Sequence, residues 1–134
     1  MKKLIFIFAL LVSFIINAQE DSSQTPKIAI KIELGETIKL PGVSLKFAAV
    51  VEDSRCPKNT HCIWAGRAVV LVDVEANESK EQKKIYLGET RNNEPTSKTL
   101  FSKENYSIEV IALKPYPEDG KEKTAYTLLV CEGN

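Results

Sequence analysis

From Lys27 onward, apolar and polar residues alternate with a period of two through most of the chain. Ile28, Ile30, Ile32 and Leu34 are interleaved with Lys27, Lys31 and Glu33, as in a strand with one buried face. Gly35 breaks this pattern, and a short strand over residues 36–40 runs to the turn pair Pro41-Gly42. Residues 43–51 place Val43, Leu45, Phe47, Ala49 and Val51 on one face and then become apolar on both, which predicts a strand entering the interior. Ala68, Val70, Val72, Val74 and Ala76 share a face over residues 67–76, with Asp73 and Glu75 on the wet side. After a polar turn at 77–81, a strand over 82–87 points Ile85 and Leu87 inward.

Residues 88–104 form the longest polar stretch, interrupted only by Leu100 and Phe101, which would pin it to the core. Strands over 106–114 and 124–131 read as a hairpin turning at Glu118-Asp119-Gly120, where Asp-Gly supplies the positive φ such turns need. No helical period interrupts the domain. About seven short strands predict an all-β fold, an antiparallel β-sandwich, with a β-barrel as the alternative.

The first 26 residues differ from the rest. Lys2 and Lys3 precede an apolar run from Leu4 to Ile16, and Asn17-Ala18-Gln19 follows, which is the layout of a secretory signal peptide over residues 1–18. The apolar run is about 13 residues, short of the roughly 20 that a permanent span requires, and no second run follows. Gln19, not cysteine, follows the expected cleavage point, so no lipid anchor is expected there. Residues 19–26 are a polar lead-in, and residues 27–134 form a single domain.

Removing 18 of 134 residues leaves 116, with 16 basic against 18 acidic side chains. A slightly acidic domain of this size has no concentrated basic face, which argues against a nucleic-acid partner. Export to an oxidising compartment permits disulfides.

Chemistry-bearing residues gather in one segment. Cys56, His61, Cys62 and Trp64, including the only histidine and the only tryptophan of the chain, lie within residues 52–66. Five residues separate Cys56 from Cys62, a spacing that a disulfide closes if Pro57-Lys58-Asn59-Thr60 turns. The alternative is a metal site using Cys56, His61 and Cys62, since thiolate and imidazole suit zinc or cuprous copper. It lacks a fourth ligand unless Cys131 folds back, and adjacent His61 and Cys62 point apart on an extended chain. A carboxylate-dependent hydrolase is the second alternative, because acids are plentiful.

Trp64, two residues after Cys62, is expected to pack beside the sulfur and close one end of the core. Gly66 would allow close packing. Asp53 and Arg55 bracket Ser54 as a partly buried pair. Tyr116 stands between Pro115 and Pro117, and Cys131 reads as a buried free thiol.

The segments Asp53 to Pro57 (DSRCP), Cys62 to Gly66 (CIWAG) and, much later, Pro115 to Pro117 (PYP) resemble those of small exported bacterial β-domain proteins of unassigned function. The resemblance covers most of residues 43–131. It implies an exported β-rich domain with Cys56 paired to Cys62, and it implies no activity and no catalytic residues.

The expectation is therefore a non-catalytic binding or interaction module, periplasmic or extracellular, with an unknown protein or envelope ligand and no cofactor. Arg55, Lys58, His61, Trp64 and Tyr116 form its expected recognition surface, because loops at one end of a sandwich vary freely over rigid sheets.

Overall fold

The alternating segments form eight strands in a computed structural model that describes residues 28–122 and 124–133. The expected signal peptide and lead-in lie outside the described residues. The strands are β1 (Ala29–Glu33), β2 (Thr37–Leu40), β3 (Val43–Asp53), β4 (Arg67–Ala76), β5 (Ser79–Gly88), β6 (Thr99–Lys103), β7 (Tyr106–Lys114) and β8 (Thr127–Gly133). One antiparallel sheet has the order β1-β8-β7-β6 and the other β2-β3-β4-β5. The two pack face to face, and neither closes into a barrel. No helix among the described residues is long and apolar enough to cross a membrane.

Alternation decides what is buried. Leu45, Phe47, Val70 and Val72 from one sheet meet Ile32, Ile108, Val110, Leu128 and Val130 from the other in one dry core. Full burial of such a side chain is worth about 1.5–3 kcal/mol, so this layer supplies the main driving force.

Four details depart from the reading of the sequence. Thr99–Lys103 is a strand, with Leu100 fully buried against the core and Phe101 partly so. The polar turn before β5 is only Asn77-Glu78, both at positive φ (49° and 63°), so β5 starts at Ser79. Val51 does not face inward and is 53% exposed. The β3–β4 register shifts between Phe47 and Ala49 and again between Val50 and Glu52, so Val50 takes the inward position and Asp53 resumes it opposite Ala68.

The fourth departure concerns the last two strands. They pair as expected and the expected turn forms, with Lys121 N–H donating to the Glu118 carbonyl at 3.4 Å, but β8 begins at Thr127 instead of residue 124, so the connection runs from Pro115 to Tyr126. Pro115 and Pro117 have no N–H, so the ladder cannot extend past the Lys114–Thr127 pair. Gly120 does take the positive φ, 75°, inside this longer loop.

Candidate functional site

At one end of the sandwich two loops meet: residues 54–66, between β3 and β4, and residues 115–126, between β7 and β8. Asp53 and Arg55 join them. Arg55 Nε donates to Asp53 Oδ1 at 2.7 Å and Nη2 to Oδ2 at 2.8 Å, a bidentate pair. The same guanidinium donates to the carbonyls of Leu113 (2.7 Å) and Pro115 (3.0 Å) and lies 4.9 Å from the centre of the Tyr116 ring. The Tyr126 hydroxyl donates to Asp53 Oδ2 at 3.0 Å. Both charged side chains are about nine-tenths buried. Burial pushes the Asp53 carboxyl upward, but the Arg55 hydrogen bonds and charge, aided by Tyr126, outweigh it and hold the group below its ordinary value. Burial, with the Asp53 charge, raises the Tyr126 phenol.

Cys56 and Cys62 are bonded to each other. Both sulfurs are thus committed, and the set Cys56, His61 and Cys62 offers no thiolate to a metal. Among the described residues no group of three or more His, Cys, Asp or Glu is placed to hold one. Cys131 is buried as a free thiol. It stays outside the inter-sheet core, paired with Ala29 on β1 and Glu109 on β7.

Main-chain and side-chain contacts brace the disulfide loop. Lys58 N–H donates to the Pro117 carbonyl at 3.0 Å, Cys56 N–H to the Ala65 carbonyl at 2.9 Å, and Thr60 Oγ1 donates to Asp119. Gly66, at φ 71°, sits so close to Ser54 that an added Cβ would collide with the Ser54 carbonyl oxygen. Close packing is therefore the reason for a glycine there.

Of the five residues expected to form a recognition surface, Arg55, Lys58 and Tyr116 are brought together by this clasp. Arg55 is spent on internal partners and positions Tyr116 from beneath. Lys58 and Tyr116 line a groove of about 480 Å3 between the two loops. His61 and Trp64 are exposed on the disulfide loop. Trp64 does not pack on the core as expected: it is 73% exposed, and its neighbour Ile63 is 92% exposed. Residues 61–66 bend instead of running as a strand, so spacing from Cys62 does not set the direction of the ring.

A second buried cation escaped the reading of the sequence. Arg67, 7% exposed, donates to Glu52 at 3.0 Å and to Glu94 at 2.6 Å and stacks 5.4 Å from the Tyr86 ring centre. Arg67, Val69 and Tyr86 occupy the face of the sheet opposite the core, where Glu94 of loop 89–98 reaches Arg67. Glu52 is held below its ordinary value, chiefly by its hydrogen bonds from Arg67, and Glu94 chiefly by the Arg91 main-chain N–H. A basic residue at the first position of a strand gave no signal of burial.

Compared with known proteins, the chain matches no family model, no curated protein and no solved structure.

Proposed function

We propose that the chain is an exported, non-catalytic binding module that engages its partner with the end of the sandwich formed by loops 54–66 and 115–126. The observation that carries this reading is the coexistence of a rigid clasp with exposed anchors. A disulfide and a buried ion pair order the two loops before any encounter, which lowers the entropy lost on binding. The same loops leave Ile63, Trp64 and Tyr116 exposed, and large aromatic side chains are favoured at interface hot spots.

Catalysis has less support. Among the described residues the carboxyls whose pKa is displaced, Glu52, Asp53 and Glu94, are all displaced downward by arginines or main-chain N–H groups. A glycosidase-type general acid needs a carboxyl displaced upward.

Capture from the cell envelope by the mature protein tests the reading. A Trp64→Ala, Tyr116→Ala double variant is expected to lose capture of the retained partner with its melting midpoint nearly unchanged. An Ile111→Ala control on β7 should keep it. Undiminished capture by the double variant would move the site away from this end.

A further inference from the structure

The end of the sandwich that carries the clasp presents a knob and a groove side by side. The knob is Ile63 and Trp64, consecutive at the bend of loop 54–66 and 92% and 73% exposed. Single exposed apolar residues are ordinary, but two large ones together on a braced bend mark a contact surface. The bend is held from both flanks. On one lie the Cys56–Cys62 bond and the bond from Cys56 N–H to the Ala65 carbonyl. On the other, the Glu89 carboxylate accepts from Ala65 N–H at 3.2 Å, and Glu89 N–H donates to the Gly66 carbonyl at 3.4 Å.

The groove, about 480 Å3, takes its apolar lining from Pro57, Pro115, Tyr116, Pro117 and Tyr126. It has room for an indole with a branched aliphatic side chain beside it. An indole N–H needs an acceptor once it is buried. The groove offers the Tyr116 carbonyl and the Glu122 carboxylate, neither of which has a partner among the described residues.

Charge disfavours a strongly charged ligand. Asp53, Glu118 and Asp119 are answered within the chain by Arg55, Lys121 and Thr60. Lys58, Lys114 and Glu122 have no ion-pair partner among the described residues, so the unspent charge around the groove has both signs. A ligand of either sign meets repulsion there. A surface of mixed sign can face its own copy, with a lysine of one molecule set against Glu122 of the other across a two-fold axis.

Placement decides whether such a contact closes. Cys56 immediately precedes the groove residue Pro57, and its N–H donates to the carbonyl of Ala65, which immediately follows Trp64. A knob and a groove that are neighbours repeat their contact across a two-fold axis and close as a dimer, whereas placement at opposite ends would propagate into a filament. An aromatic side chain brings about 150–250 Å2 to a contact, so two knobs in two grooves bury on the order of 1,200 Å2, the lower end of specific interfaces. The pairing is therefore reversible.

We infer that two copies of this chain pair end to end, the Ile63–Trp64 knob of each seated in the groove of the other. The inference rests on the binding-module reading and names the partner of the same end as a second copy.

Sedimentation equilibrium of the mature protein from about 1 μM to about 1 mM is expected to show monomer passing into dimer, with no larger species. Trp64 is the only tryptophan, so its emission should shift to shorter wavelength over the same range. Trp64→Ala and Tyr116→Ala should each raise the dissociation constant at least about tenfold, while Ile111→Ala leaves it unchanged. Mixing the two weakened variants is the decisive arm. Trp64→Ala keeps its groove and Tyr116→Ala keeps its knob, so a mixed pair regains one of the two contacts that either variant alone lacks. The mixture should associate more tightly than its components. A monomer up to about 1 mM, association untouched by Trp64→Ala, a mixture no tighter than its components, or growth beyond the dimer would each overturn the inference. Should the chain stay monomeric while the Trp64→Ala, Tyr116→Ala double variant still loses envelope capture, the partner is a different molecule, this inference fails and the binding-module reading stands.

Discussion

Arg55 shows how much one side chain can organise. Its four hydrogen bonds tie the end of β3 to the end of β7, and its plane supports Tyr116. Lysine has the same charge but cannot reproduce a bidentate fork, so Arg55→Lys is expected to cost about 2 kcal/mol in urea unfolding. Asp53→Ala, which leaves the buried guanidinium unpaired, should cost about 3 kcal/mol or more. The pair also predicts an acid response. Because the folded-state pKa of Asp53 lies below its ordinary 3.8, its stabilising contribution is present above that value and is lost as pH falls through the folded-state value. The wild-type melting midpoint should therefore fall more steeply below about pH 4 than that of Asp53→Asn, and parallel profiles would refute this assignment. Trp64 teaches the opposite lesson about single residues. At 73% exposure its replacement by Ala should change stability by no more than about 0.5 kcal/mol, which makes it a clean probe of binding.

Elements were legible where they depended only on alternation. Residues 67–76 and 106–114 form strands over the span that period two predicts, because one face of each must be dry. What alternation could not reveal depended on a partner. The bulges of β3 exist only relative to β4, and they expose Val51. Thr99–Lys103 becomes a strand because β7 offers it a ladder, although only Leu100 within it is fully buried. The β4–β5 hairpin carries a prediction of its own. Asn77 and Glu78 both take positive φ between the paired residues Ala76 and Ser79, the geometry in which Asn-Gly is preferred. A glutamate there bears a steric cost of about 1 kcal/mol that glycine avoids. Glu78→Gly is thus expected to stabilise the protein by about 0.5–1 kcal/mol in denaturant unfolding, and a loss of stability would show that the turn is not strained.

On the scale of the whole molecule, the three sequence segments that stood out turn out to be one structure. Asp53 to Pro57 supplies the ion pair and one disulfide partner, Cys62 to Gly66 the other partner and the glycine packed on Ser54, and Pro115 to Pro117 the opposing loop. Their convergence was not legible in the sequence, since about fifty residues separate the last segment from the others and only the stacking of the sheets brings β3 and β7 ends together. The core lies elsewhere, between the sheets, and no residue of loop 54–66 belongs to it. Fold and clasp should therefore separate experimentally. In the native oxidised protein Cys131 should resist alkylation, one thiol should react after denaturation, and three after reduction. A Cys56→Ser, Cys62→Ser variant loses a short-loop crosslink worth about 2 kcal/mol, less than a small domain's usual margin, so it should remain folded with a lowered midpoint. Its groove should suffer more than its core, because Pro57 and Lys58 lie inside the opened loop and must now be ordered by the partner. The envelope partner is expected to bind this variant at least about tenfold more weakly at a temperature where it is fully folded. Unchanged affinity would mean that the Asp53–Arg55 pair and the Lys58–Pro117 main-chain bond suffice to hold the groove, and that the disulfide serves only the stability of the fold.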